Sequence, residues 1–153
     1  MTRILMIQGA NMEWLGKRQP EFYGTTTADE VDAMMRAQAA ERGIELEILY
    51  TNIEGEAITR IYQAVRDGYD GLLMNPAGFS HGGFALRDCI LGCLIPYVEV
   101  HISNQSARGI NCVMSKTADG VIYGFGVKGY RFGLDALLET VAERKANGSW
   151  PAT

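Results

Sequence analysis

Short apolar runs alternate with helical patterns along the chain, and this alternation limits the possible folds more than any other feature. Apolar runs of strand length occupy residues 3–8, 45–50, 71–74, 97–101 and 121–124. Apolar residues at helical spacing recur around residues 31–38, 58–65, 84–94 and 134–141. Strands that alternate with helices form right-handed parallel βαβ units, with helices on both faces of the sheet. We therefore predict an α/β fold: a flavodoxin-like, doubly wound, five-stranded parallel sheet in three α/β/α layers.

Local signals mark several boundaries. Thr27 and Glu30 have the spacing of a capping box, so the first long helix is predicted to begin there. Gly43 and Gly68 are expected to end the first two helices. The connection over residues 9–26 is long, and long structureless connections in small domains are usually lids or binding loops. Residues 147–153 are expected to form a frayed tail.

Length and charge restrict the class of protein. The chain has 153 residues, 47% of them hydrophobic and 21% charged, which suits a single domain over residues 1–153. The net charge of −4 argues against nucleic acid or an anionic membrane as the main partner, because both require a face rich in Lys and Arg. No apolar run approaches the ~20 residues of a membrane span. We expect a cytoplasmic protein that binds a small molecule.

The cysteines are expected to be buried thiols. Cys89, Cys93 and Cys112 form no even set for a disulfide framework. Cys89 and Cys93 have the spacing that places two thiols on one helix face. The two histidines lie in separate loops and the sequence has no second cysteine cluster, so we predict no metal site.

Polar side chains follow three of the predicted strands. Asn11 follows the first strand, Asn75 and His81 follow the third, and His101 and Ser103 follow the fourth. In doubly wound folds, ligands bind in the crevice beyond the carboxyl ends of the strands. We therefore expect these side chains to meet at one edge of the sheet.

Glu99 and His101 are two residues apart on the predicted fourth strand, so their side chains share a face. A carboxylate beside an imidazole fixes the tautomer of the ring, which suits a proton-transfer group. Alternatively, His101 is a histidine of the core with a structural role only, and Glu99 simply accepts its hydrogen bond.

Arg18 and Tyr23 lie close together within residues 9–26. A guanidinium near a phenol stabilises the phenolate, so Tyr23 could act as a general base. The alternative is that Tyr23 packs at a turn before Gly24 and that Arg18 is a solvated surface charge.

Gly124, Gly126 and Gly129 match the G-x-G-x-x-G pattern of dinucleotide-binding folds. The motif follows the last predicted strand, so no later strand remains to present an acid to a ribose. We interpret it as a tight strand-to-helix connection.

Several separated motifs, from Ile4 to about Val141, resemble in order those of the type II 3-dehydroquinate dehydratases. The motifs are Gly9-x-Asn11, Leu15-Gly16-Lys17-Arg18-x-Pro20-x-x-Tyr23-Gly24, Asn52-x-Glu54-Gly55-Glu56, Asn75-Pro76-Ala77-Gly78-x-Ser80-His81, Leu86-Arg87-Asp88, Glu99-Val100-His101-Ile102-Ser103-Asn104, Ala107-Arg108 and Gly124-x-Gly126-x-x-Gly129-Tyr130. The resemblance implies a flavodoxin-like catalytic domain, a homo-oligomer of trimers assembled into a dodecamer, and a dehydration of 3-dehydroquinate to 3-dehydroshikimate that needs no cofactor and no metal. It places the activity in the shikimate pathway of aromatic amino acid biosynthesis or in quinate catabolism, and leaves open which.

The resemblance also implies roles for individual residues. Tyr23 would be the base and His101 the acid, with Glu99 beside His101, Arg18 activating Tyr23, and Asn11 near a water that stabilises the enolate. The implied substrate-binding residues are Asn75, His81, Ile102, Ser103 and Arg108, with Asp88 supporting from a neighbouring subunit. A base and an acid together suit this elimination, because one removes the proton alpha to the ketone and the other protonates the leaving hydroxyl.

The chain departs from the family pattern at several positions, namely Ala10, Glu13, Ile53, Gly82, Gly83 and Cys112. The family usually carries at the position of Cys112 an arginine that recognises substrate hydroxyls, and a thiol cannot form the paired hydrogen bonds of a guanidinium. One alternative is therefore a paralogous lyase or isomerase that applies the same enolate chemistry to another cyclic ketone or hydroxy acid. A non-enzymatic binding module of the same fold is the other alternative.

Overall fold

A five-stranded parallel sheet forms the centre of the molecule in the computed structural model, which describes residues 1–152. The strands are β1 (Arg3–Ala10), β2 (Glu45–Tyr50), β3 (Gly71–Ala77), β4 (Tyr97–His101) and β5 (Gly120–Tyr123). Their order across the sheet is β2-β1-β3-β4-β5, and every neighbouring pair is parallel. This confirms the predicted flavodoxin-like sheet. The order reverses between β1 and β3, where such folds bind ligands.

Helices cover both faces of the sheet: α1 (Pro20–Tyr23), α2 (Ala28–Glu41), α3 (Glu54–Arg66), α4 (Phe84–Cys93) and α5 (Lys128–Ala146). The capping box predicted at the start of α2 is present. The Glu30 N–H donates to Thr27 Oγ1 at 3.2 Å, and the Thr27 N–H donates to Glu30 Oε1 at 3.2 Å. These two bonds satisfy backbone donors that the first helical turn leaves unpaired.

The sheet separates two apolar layers, because successive side chains of a strand point to opposite faces. One layer joins the sheet to α3 and α4 through Leu5, Ile7, Leu72, Met74, Ile61 and Leu86. The other joins it to α2 and α5 through Ile4, Met6, Leu73, Val100, Met35 and Leu137. The inner strands are buried on both faces, which explains why they read as continuous apolar runs.

The third strand is longer than predicted. Its pairing with β1 continues past the apolar run, so that Gln8 lies opposite Asn75 and Ala10 opposite Ala77. An apolar pattern does not detect this extension, because the added residues begin with an amide and a proline. The extension places the buried Asn75 on the strand itself rather than in the following loop.

Residues 9–26 contain regular structure that the sequence did not indicate. β1 extends to Ala10, a 3₁₀ turn spans Met12–Trp14, and α1 forms one helical turn that carries Tyr23. Pro20 occupies the first position of α1, where its missing N–H costs no helical hydrogen bond. The segment therefore presents Tyr23 from a short helix.

The glycine motif forms the tight strand-to-helix connection that was predicted. Gly124 and Gly126 have φ angles of 95° and 66°, a region that favours glycine. The Gly126 N–H donates to the Ile102 carbonyl at 3.0 Å and so ties the connection to the end of β4.

The chain is packed against the rest of the protein up to Trp150, in contrast to the predicted frayed tail. The Trp150 side chain is 4% exposed and packs in the layer beside α4. Its N–H donates to the Arg144 carbonyl at 3.1 Å. One large aromatic ring therefore holds this segment, while Thr153 lies outside the described residues.

The cysteines are free, with Cys89 and Cys112 buried and Cys93 half-buried. In the described part of the chain, helices are too short or too polar to span a membrane.

Gly133 sets the distance between α5 and the sheet. A methyl group at this position would lie 2.5 Å from Val100 Cγ2 and 3.1 Å from Leu73 Cδ1. Glycine therefore lets the helix approach β3 and β4 more closely than any other residue would.

We expect Gly133→Ala to lower the free energy of unfolding by about 1–3 kcal/mol, because the added methyl group overpacks the interface. Gly129→Ala on the same helix is the matched control, since its new methyl group would meet Val100 Cγ1 at an ordinary 3.5 Å. The control should be neutral or stabilising by up to ~1 kcal/mol through helix propensity. Urea unfolding at one protein concentration measures both, and equal effects would contradict the packing argument.

Candidate active site

A cavity of about 360 Å³ opens at the carboxyl ends of β1, β3 and β4. Its size is within the range of small-molecule sites. Most of the residues predicted from sequence line it, namely Asn11, Arg18, Tyr23, Asn75, His81, His101, Ser103 and Arg108. The parallel sheet brings them together, because three strands end at the same edge.

Glu99 and His101 form a hydrogen-bonded pair at the back of this cavity. They are 0% and 3% exposed, and His101 Nε2 lies 2.8 Å from Glu99 Oε2. A carboxylate only accepts hydrogen bonds, so the ring must carry its proton on Nε2. The other ring nitrogen, Nδ1, is then the one available for proton transfer.

Four donors surround the buried Glu99 carboxylate. Oε1 accepts from the Tyr97 hydroxyl at 2.7 Å and from the Cys112 thiol at 3.4 Å. Oε2 accepts from His101 at 2.8 Å and from the Ser115 hydroxyl at 2.5 Å. Burial raises the pKa of Glu99, but the bonds from His101, Ser115 and Tyr97 outweigh it and leave the pKa below its usual range. Glu99 is therefore a carboxylate that holds the His101 ring in place.

Cys112 does not face the cavity as the resemblance implies for its position. Its buried sulfur contacts Glu99 Oε1, and the residue lines a neighbouring surface cavity instead. Burial, and then the charge of Glu99, raise the pKa of the thiol. The side chains of Glu99, His101 and Cys112 each have an atom that could bind a metal ion, and these atoms lie within 4.8 Å of one another. The sequence did not indicate this, because Cys112 is distant from the other two along the chain. Since each Glu99 oxygen already accepts two hydrogen bonds, we interpret the cluster as a hydrogen-bond network.

Tyr23 contacts two arginines, the predicted Arg18 and also Arg108. The Arg108 guanidinium donates to Tyr23 Oη at 3.2 Å and to Ser103 Oγ at 2.8 Å. Arg18 lies against the face of the ring, 5.0 Å from its centroid. Arg108, predicted to bind substrate, thus places its positive charge at the phenol oxygen, whereas Arg18 reaches only the ring. The sequence could not indicate this contact, because it joins residues 85 positions apart.

A buried polar chain holds Asn75. Its Nδ2 donates to Tyr130 Oη at 2.9 Å, and the Tyr130 hydroxyl donates to Gln8 Oε1 at 2.8 Å. Asn75 Oδ1 accepts from the Ala77 N–H at 3.0 Å. Ala77 has a φ of 49°, which is unusual for a residue with a side chain, and it directs the chain into the turn that carries His81.

Two predicted substrate-binding residues lie elsewhere in the subunit. Asp88 is exposed on α4 and pairs with Arg87 at 3.2 Å, away from the cavity lining. Ile102 is buried in the apolar layer beside α5. Its side chain therefore packs in the core, and only its backbone is available for polar contacts.

Ser80 and Gln105 are among the lining residues that the sequence-based site lacked. Ser80 is buried, and its hydroxyl has no partner among the described residues. Gln105 lies one turn beyond His101 and contacts the ring. Both had a usable signal, because Gln105 lies just after the predicted fourth strand and Ser80 stands beside His81 in one of the family motifs.

Known proteins resemble this chain in both sequence and fold. The family model "Dehydroquinase class II" matches residues 2–138. A 3-dehydroquinate dehydratase of Acinetobacter baylyi is 43% identical over 143 residues, which cover 92% of this chain and 96% of that protein. The type II dehydroquinase of Butyrivibrio crossotus superposes with a TM-score of 0.84 at 34% identity, covering 90% of this chain and 97% of the other. That of Propionibacterium acnes superposes with a TM-score of 0.83 at 35% identity, covering 93% and 97%. The chain belongs to the class II dehydroquinase family.

Proposed function

We propose that the protein is a 3-dehydroquinate dehydratase, which eliminates water from 3-dehydroquinate to give 3-dehydroshikimate through an enolate and without a cofactor. One observation carries the proposal. A phenol in contact with a guanidinium and an imidazole held by a buried carboxylate line the same small cavity. A base and an acid facing one cavity are what such an elimination requires.

Tyr23 acts as the base in this proposal. Its oxygen takes the proton alpha to the substrate ketone, and the C–H electron pair forms the enolate. The Arg108 guanidinium donates to this oxygen at 3.2 Å and so fixes its position in the cavity. Because Arg108 also contacts Ser103, the guanidinium is anchored to the end of β4 while it contacts the phenol.

His101 acts as the acid. The enolate re-forms the carbonyl, a C=C bond forms as the C–O bond breaks, and the leaving hydroxyl takes a proton from His101 to depart as water. Glu99 accepts a hydrogen bond from Nε2 at 2.8 Å, which leaves Nδ1 as the nitrogen that transfers the proton.

Neutral polar groups suit the oxygen atoms of the substrate. The Asn11 side chain is proposed to hold a water at the enolate oxygen, and Asn75, His81 and Ser103 to contact the ring substituents. Backbone N–H groups after β4, at Ile102 and Ser103, are proposed to bind the carboxylate of the substrate.

We also propose that the subunit works as a homo-oligomer, with trimers assembled into a dodecamer, in the cytoplasm. Asp88 supports this, because it is exposed on α4 in the single subunit and would reach a site only in a neighbour. Exposed apolar residues support it further: Phe84 and Leu91 on the same helix, and Leu94 directly after it. Biosynthetic and catabolic uses of the reaction have the same chemistry.

Turnover of 3-dehydroquinate tests the function directly. We expect an enone absorbance to appear with the parent protein and to be lost in Tyr23→Phe, because phenylalanine keeps the ring but cannot accept a proton. Glu21→Ala, an exposed position on the same helical turn, is a control for disturbance of α1 and should remain active. A parent protein that turns over another cyclic hydroxy ketone far faster would support a paralogous enzyme instead, and full activity in Tyr23→Phe would remove this residue from the mechanism.

Light scattering after size exclusion tests the assembly. We expect a mass of about twelve times the 16.8 kDa subunit. Asp88→Ala should lower kcat/KM, because the active site of the neighbouring subunit loses its contact with this carboxylate. The fold of each subunit should be retained. A fully active monomer would contradict the proposed assembly.

The role of Cys112 gives a separate prediction. Because its sulfur contacts Glu99 and lies outside the cavity lining, Cys112→Ser should change KM by less than about twofold. Cys93→Ser, on α4, controls for the loss of a thiol. A large rise in KM with unchanged kcat would instead indicate that residue 112 touches the substrate.

A further inference from the structure

Gln105 has no part in the mechanism described so far, yet its side chain contacts the proposed acid. Its Nε2 lies 2.9 Å from His101 Nδ1. The residue is half-buried and lines both the catalytic cavity and the neighbouring surface cavity. Its carboxamide therefore stands between the two cavities, against the ring nitrogen that must transfer a proton.

The tautomer of His101 fixes the direction of this hydrogen bond. The ring donates through Nε2 to Glu99, so the Nδ1 of a neutral ring is an acceptor. The Gln105 N–H group is then the donor. When the ring is protonated, Nδ1 becomes a donor, and the amide must turn its oxygen towards it. A carboxamide can satisfy both states, because it carries a donor and an acceptor.

We propose that Gln105 is a positioning residue for His101. Its carboxamide holds the Nδ1 side of the ring in the free protein, and it gives up this place to the leaving hydroxyl of the substrate. This inference rests on the proposed dehydration, because that reaction needs an N–H at Nδ1 directed at a hydroxyl.

The proton balance then follows. The protonated ring gives its Nδ1 proton to the leaving hydroxyl, which departs as water when the C–O bond breaks. The ring becomes neutral, with its remaining proton on Nε2, and the Gln105 amide donates to Nδ1 again. Tyr23 and His101 return to their starting states when a proton passes from the phenol to the ring through solvent.

Position 112 cannot perform this task in the present chain. The Cys112 sulfur contacts Glu99 Oε1, and the residue lines the neighbouring cavity and not the catalytic one. Gln105 instead contacts the ring directly. Glu99 and Cys112 each have a side-chain atom within 4.8 Å of a His101 ring nitrogen. Further charged or titratable groups line the catalytic cavity (Tyr23, His81, Arg18 and Arg108) or the neighbouring cavity (Arg87, Lys116 and Tyr123).

Histidine NMR tests the contact without relying on activity. The chain has two histidines, His81 and His101, so the ¹⁵N ring signals are simple to assign. Gln105→Leu removes both polar groups at similar size, and we expect the neutral-state Nδ1 signal of His101 to shift. Gln105→Glu keeps only an acceptor, and the pH of half-protonation of His101 should rise by at least roughly one unit, because a negative charge now faces the ring. Asn111→Ala, an exposed amide on the same loop that lines only the neighbouring cavity, should change neither.

Kinetics test the functional part of the inference. With 3-dehydroquinate, kcat of Gln105→Leu should fall about threefold to tenfold, the range of one hydrogen bond, and KM should change less. In Gln105→Glu the alkaline limb of the kcat profile should move to higher pH, in step with the NMR titration. A merely structural role would change thermal stability but would not move this limb.

Some results would overturn the inference. Unchanged ¹⁵N signals and titration of His101 in both variants, in folded protein, would show that the contact is absent. Changed signals with unchanged kcat and pH profile would reject the positioning role. If the parent protein does not turn over 3-dehydroquinate, the proposed function fails, while the NMR experiment still decides whether Gln105 holds the ring.

Discussion

The site depends on the hydrogen bonds that the buried Glu99 carboxylate accepts. A charge at this depth is tolerable only when hydrogen bonds compensate for lost hydration, and four donors do so here. The donors come from β4 and from the segment that follows it, so the carboxylate ties this segment to the sheet. Removing one donor would affect the orientation of His101 as well as stability.

The parallel sheet makes the rest of the arrangement possible. β1, β3 and β4 are adjacent in the sheet and end together, so residues far apart in sequence face one cavity. Two polar networks support this edge. One surrounds Glu99, and the other runs from Gln8 through Tyr130 to Asn75, joining β1 and β3 to α5. The second network is built on two strands and a long helix, and the first has Glu99, Tyr97 and His101 on β4, so the central residues of both networks lie on regular elements.

The fold could be predicted almost completely from the sequence, because its apolar periods are strong and Thr27 and Glu30 mark a helix start. The errors arose where apolar pattern is uninformative. The polar end of β3 was assigned to a loop, and the hold of Trp150 on the chain end was missed. In the site, strand ends identified most of the lining residues. The contacts of Arg108 with Tyr23, Cys112 with Glu99 and Gln105 with His101 could not be deduced, because they depend on how the segment after β4 folds back.

The position of Arg108 has a consequence for how substitutions act on the site. The guanidinium belongs to the segment after β4, whereas the phenol that it contacts belongs to the connection after β1. The contact between the phenol and the guanidinium therefore exists only where these two segments pack against each other. Neither segment alone fixes the geometry of the base, so a substitution in one of them would displace a catalytic group carried by the other.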